Sequence, residues 1–134
     1  MKCRFCSLVK KEDEFCLVYE DAKILAFMDK APVNPGHILV IPKKHITSFE
    51  KIESKLFTYL MYKVQKLAKA IKKATKCKKV GLLIAGFDVD HTHVHLIPMN
   101  DIKDVATKRV WEEKQKIIQI NELKKTANKI AQFI

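Results

Sequence analysis

The chain has no long hydrophobic run. The longest, VGLLIAGF (residues 80–87), falls far short of the ~20 apolar residues a membrane-spanning helix needs. Its start, MKCRFCSLVKKEDE, lacks the apolar centre of a secretory signal. These absences predict a cytoplasmic protein with no membrane partner. There, Cys3, Cys6, Cys16 and Cys77 are expected as reduced thiols or metal ligands rather than disulfides. Arginine is also scarce: only Arg4 and Arg109 occur among 26 basic side chains. Base reading and bidentate phosphate recognition lean on arginine, so nucleic acid is not expected as a specific partner. The net charge of +11 favours anionic ligands and establishes little more. No repeat, low-complexity block or linker divides the 134 residues, which predicts one domain spanning 1–134.

What is present reads as alternating strands and helices. FCLVYED and KILAFMD form two short strands, and APVNPG then supplies a strong turn. GHILVIP follows as a buried strand with His37, Leu39 and Ile41 on one face and Ile38 and Val40 on the other. From Ser54 to Lys76 the period changes. Leu56, Leu60, Met61, Val64, Leu67, Ala68 and Ile71 recur at helical spacing, with lysines opposite. Strand character returns in VGLLIAGF and runs through VDHTHVHLIP. A second helix is expected from about Lys108 to Phe133, with Ile120, Leu123, Ala127, Ile130, Ala131 and Ile134 on its apolar stripe. The order predicts an α+β fold: an antiparallel sheet with helices against one face and the opposite, histidine-bearing face open to ligand.

Five histidines occur, and three of them, His91, His93 and His95, alternate within DVDHTHVHLIPM. A strand here sets the three imidazoles on one side and Thr92, Val94 and Leu96 on the other. Imidazole suits nucleophilic and proton-transfer chemistry near neutral pH, which marks this stretch as the reactive centre.

NPGHILVIPKKH (residues 34–45), HTHVHLIP (91–98), AFMD (26–29) and the N-terminal CRFC resemble the histidine triad (HIT) superfamily, in its bacterial Hint-like branch with an N-terminal zinc knuckle. The resemblance implies a meander sheet with one long helix between strands and a C-terminal helix. Within 1–134, residues 1–8 would be the zinc knuckle and about 105–134 a C-terminal helical extension. It also implies a homodimer, and cleavage at the α-phosphate of a purine nucleotide conjugate such as a phosphoramidate or dinucleotide. By the family pattern His93 is the nucleophile, His95 hydrogen-bonds the phosphate or departing group, and His37 supports the triad. The substrate-binding set is then Asp29, Asn34, His93 and His95, with Asp29 near the ribose. Two departures stand out: Phe87 and Asp88 replace a Gln and a small residue after Gly86, and the loop before that glycine has no Asn.

The residues themselves support such chemistry. Neutral imidazole escapes the repulsion that phosphate oxygens exert on anionic nucleophiles, and a nucleotidyl-histidine divides one hard step into two easier ones. Cys3 and Cys6 have the spacing at which two thiolates reach one tetrahedral ion, and His45 and His91 are the histidines available to complete a structural zinc site. The resemblance points to the same four. Alternatives stay open at this level. CxxC is also two free thiols or a redox pair, and Asp29 is also a turn residue. His91 serves either zinc or the reactive centre. The chain as a whole is an enzyme, a non-catalytic nucleotide-binding module, or a metallohydrolase using His91, His93 and His95.

Overall fold

The computed structural model describes residues 2–106 and 116–134. Five strands form one sheet: β1 (Leu17–Glu20), β2 (Ile24–Met28), β3 (Ile38–Pro42), β4 (Lys79–Leu83) and β5 (Val94–Met99). Their spatial order is β1-β2-β3-β5-β4, and every neighbouring pair is antiparallel. The first three strands make the expected meander. The long helix α2 (Ser54–Thr75) then carries the chain to the far edge, where β4 begins, and β5 returns between β4 and β3.

Alternation along the strands builds two cores. Ile24, Ala26, Ile38, Val40, Val94 and Leu96 meet the apolar stripe of α2, centred on Leu60, Val64, Leu67 and Ile71. Each such fully buried side chain contributes roughly 1.5–3 kcal/mol through removal from water. Helix α3 (Ile120–Ala131) adds Leu123, Ala127 and Ile130 to this layer. Leu25, Phe27, Leu39 and Ile41 point the other way and pack against Phe5 and Leu8.

That second core corrects the expected layering. Residues of the knuckle form a short helix, α1 (Arg4–Val9), which lies on the histidine side of the sheet. The face expected to be open is therefore partly roofed by Phe5 and Leu8.

Two further expectations change. The described C-terminal helix runs from Ile120 and is not continuous with the residues before it. Residues 116–119 are irregular, and the predicted stretch 108–115 lies outside the described residues. The triad is not wholly in a strand either: β5 starts at Val94, so His91 and His93 precede it. The ladder to β3 ends at the Val40–Val94 pair. In continued register Thr92 would oppose Pro42, which has no N–H to give. Thr92 instead donates from both its backbone N–H (2.7 Å) and its hydroxyl (2.8 Å) to the Ile46 carbonyl. No helix among the described residues is long and apolar enough to cross a membrane.

Candidate active site and metal centre

The turn before β3 places the first candidate histidine. Gly36 has φ 100°, and a Cβ there would come within 2.7 Å of the Thr75 methyl and 3.2 Å of the Pro98 ring. Only glycine takes that backbone without strain. Asn34 ties the turn to β5 by donating its side-chain amide to the Pro98 carbonyl at 2.9 Å. Its observed contact is thus with backbone, and it does not line the neighbouring cavity.

His37 is 2% exposed, and burial pushes it down to a pKa of about 4, so it is neutral near pH 7. Its Nδ1 accepts the Val33 backbone N–H at 3.1 Å. A neutral ring with Nδ1 accepting carries its proton on Nε2. That nitrogen lies 3.0 Å from Nδ1 of His95 and donates to it. His95 is then fixed with its own proton on Nε2. Burial, followed by the nearby His37 and His93, lowers His95 to about 4 as well. Asp29 Oδ2 lies 3.6 Å from His37 Nε2; with His37 neutral, this is not an ion pair. Asp29 Oδ1 accepts the Ala31 N–H at 2.9 Å, while burial pushes its carboxyl up.

His93 is fully buried. Its Nδ1 donates to the His91 carbonyl at 2.7 Å, which leaves Nε2 unprotonated. Phe5 meets the ring edge-on at 5.1 Å between centroids, and His95 does so at 5.0 Å. Oδ1 of Asp88 approaches Nε2 to 3.1 Å, off the direction of a hydrogen bond, so Nε2 has no hydrogen-bond partner. A cavity of about 650 Å³ opens beside this group, a volume suited to a small-molecule ligand. Phe15, Phe27 and Leu39 give it apolar walls, Asp29, His95 and Asp88 its polar edge, and Ile117 and Ile118 a side from the C-terminal segment. His93 does not line it; Asp88 does.

His91, Cys3, Cys6 and His45 converge separately, with one ligand atom of each within 4.8 Å of all the others. Nδ1 of His91 lies 3.5 Å from Cys3 Sγ, 3.7 Å from Cys6 Sγ and 3.3 Å from Nδ1 of His45, which is itself 3.3 Å from Cys6 Sγ. Tetrahedral zinc with ordinary bond lengths spaces N–N pairs by ~3.3 Å and S–N pairs by ~3.6 Å. The outer contact fits too: His91 Nε2 donates to the Pro42 carbonyl at 2.8 Å, which turns an unprotonated Nδ1 to the cluster. The four residues therefore fit a structural zinc ion. Asp29, His37 and His95 also lie close enough to share an ion, but their hydrogen bonds place a proton on the His37 nitrogen that would have to bind it. Nor do the three alternating histidines share one centre: His91 faces the thiols, His95 faces His37, and His93 holds a backbone carbonyl.

The HIT-domain family model matches residues 10–102. The chain belongs to the HIT family. A HIT-like protein of Saccharolobus solfataricus is 38% identical over 101 residues, 72% of this chain and 73% of its own length. An adenosine 5'-monophosphoramidase of Schizosaccharomyces pombe is 36% identical over 100 residues, covering 73% and 74%. Among solved structures, a Hit-like protein involved in cell-cycle regulation from Bartonella henselae superposes with TM-score 0.86 at 30% identity, covering 99% of this chain and 96% of that one. The HIT fold thus extends over α1 and α3 as well as the matched centre.

Sequence reasoning missed Phe5 as a neighbour of His93, Ile117 and Ile118 as cavity walls, and the backbone partners Val33 and Pro42. Phe5 alone carried a signal: an aromatic residue between two thiols one helical turn apart has to pack somewhere close to their metal site.

Proposed function

We propose that this HIT protein is a hydrolase or transferase cleaving nucleotide conjugates at the α-phosphate through a covalent intermediate on His93. The observation that carries the reading is the pair of fixed tautomers: His93 offers a lone pair on Nε2, and His95 offers an N–H beside it. The name of the fission-yeast relative, an adenosine 5'-monophosphoramidase, supports the same chemistry.

In the first step Asp88 swings away from Nε2 and the α-phosphorus comes into line with the Nε2 lone pair. A bond forms from Nε2 to phosphorus as the bond to the leaving group breaks, and an amine leaving group takes its proton from water. Positive charge that develops on the His93 ring is stabilised by the His91 carbonyl on Nδ1–H. His95, neutral at working pH, donates a hydrogen bond to the phosphoryl or leaving-group oxygen or nitrogen, and His37 holds it in that tautomer. In the second step water attacks phosphorus and gives its proton to the hydroxide left by the first step, the P–N bond breaks, and the Nε2 lone pair returns. Asp29 at the cavity edge accepts from ribose hydroxyls of a purine nucleotide, whose base lies against Phe15 and Phe27. Asn34 positions the His37 turn from outside the cavity.

Cys3, Cys6, His45 and His91 hold zinc, which ties α1 to the catalytic segment and takes no part in bond making. The exposed edge of β4, where Leu82 is half out in solvent, is the surface on which a second copy pairs to form a homodimer. A zinc site of reduced thiolates fits a cytoplasmic location.

His93→Ala tests the reading. It abolishes AMP release from an adenosine phosphoramidate while the fold is kept, and mass spectrometry after an alkaline denaturing quench, which preserves the P–N bond, finds an adenylyl adduct only on the parent. Retained turnover in the variant rejects it. The burial of His93 behind Asp88 favours one competitor, a nucleotide-binding module without turnover. Tight nucleotide binding with no adduct on the parent would establish that instead.

A further inference from the structure

We propose that Asp88 determines which leaving groups the site accepts: it is a built-in anion at the nucleophile that favours conjugates with cationic or neutral leaving groups over anionic ones. This rests on the function proposed above and adds its substrate class. Oδ1 of Asp88 stands 3.1 Å from His93 Nε2. That is about the separation, ~3–3.5 Å, from which a nucleophile attacks. The carboxylate therefore stands beside the line of attack, close enough that a phosphate arriving at Nε2 meets its charge and must push it aside.

The loop permits a short displacement and no more. Gly86 has φ 81°, and a Cβ built there meets only the Thr47 carbonyl, at 4.0 Å. Phe87 is 99% exposed, so no packing holds the tip from outside. On the other side Val89 packs against the Phe5–Phe27 core and its carbonyl accepts the His91 N–H at 2.9 Å. A carboxylate tethered this way stays within several ångströms of the bound phosphorus and needs a positive or hydrogen-bond-donating partner there.

The cavity lining points the same way. Although the chain carries a net charge of +11, the described residues around the cavity include four carboxylates, Asp13, Glu14, Asp29 and Asp88, against two cations, Arg4 and Lys30. An ammonium or neutral amine departing into this space is attracted or tolerated; a departing phosphate or sulfate meets like charge. One unit charge ~6 Å from Asp88, at an effective dielectric between protein surface and water, changes discrimination about tenfold.

The experiment compares kcat/KM of the parent and Asp88→Asn for two conjugates of AMP. One is a phosphoramidate of a diamine, with a cationic leaving group; the other is adenosine 5'-phosphosulfate, with an anionic one. The parent prefers the cationic conjugate, and Asp88→Asn narrows that preference about tenfold, chiefly by accepting the anionic one. Calorimetry gives AMP itself a Kd lower by about tenfold in the variant, because no internal anion competes. An unchanged ratio in Asp88→Asn, or a parent that prefers the sulfate, overturns the assignment while leaving the hydrolase reading intact. Absence of turnover by both proteins on both conjugates rejects the hydrolase reading, and this inference falls with it.

Discussion

His37 donates from Nε2 to Nδ1 of His95 across 3.0 Å, and it does so because the Val33 N–H already occupies its other nitrogen at 3.1 Å. A backbone amide thus sets the protonation pattern of two side chains in succession. His37→Leu removes the relay without adding a polar group. We expect kcat to fall about 100-fold with little change in KM, the low end for a positioned proton-bearing group. His37→Gln, which can still donate to His95, should recover part of that loss. Equal kcat for parent and His37→Leu in steady-state assays would show that the tautomer of His95 does not matter.

The same burial makes stability depend on pH. His37 and His95 sit at about 4 in the folded protein against an ordinary value of 6.5. Between those values the unfolded chain binds more protons than the folded one, so stability rises with pH. It is complete above pH 6.5 and is lost as pH falls toward 4. For His37 the contribution is at most ~3 kcal/mol. Urea denaturation of parent and His37→Leu across this window checks it. The two curves should converge toward pH 4, and the comparison cancels protonation of the metal ligands.

Zinc should copurify with the chain in equimolar amount and be lost in Cys6→Ser and His91→Ala. Prolonged chelation should lower Tm and increase protease cleavage within residues 2–12, because α1 is then held only by its apolar contacts, chiefly those of Phe5 and Leu8. Metal analysis by plasma mass spectrometry with thermal melts of each form measures this. Parent protein free of zinc and unchanged in Tm would remove the metal from the account.

Phe5→Ala deletes a ring that is 3% exposed and packs on Phe27 and His93. The loss should be ~3–5 kcal/mol, typical of a buried aromatic residue cut to Ala. Phe5→Leu keeps most of the volume and should cost less, while still lowering kcat because the His93 ring loses its edge-on neighbour. Denaturation midpoints and kcat measured on both variants distinguish packing from positioning.

Much of this was legible from local pattern. The period of α2, the alternation of β3, the turn at Gly36 and the pairing of CxxC with two distant histidines all rest on spacing, and the folded chain keeps each of them. What could not be read depended on backbone partners far away in sequence. Nothing in HTHVHLI says that the strand must wait for Val94, since the cause is Pro42 on another strand. Nor does CRFC reveal that Phe5 turns onto His93. Asp88 was legible as an oddity beside a phosphate site, but its contact with Nε2 required coordinates. The break at 116–119 just before α3 was not legible, because charged and apolar residues run on at helical spacing through it.

Strand β3 joins the two centres end to end. His37 immediately precedes it and the Pro42 carbonyl that orients His91 closes it, five residues at ~3.3 Å each. One short rod therefore gauges the separation between metal end and phosphate end. A single residue inserted into it would rotate one terminus to the opposite face of the sheet. Hydrolytic chemistry and the thiolate anchor would then be lost together, so length along this rod is a feature neither centre can alter alone.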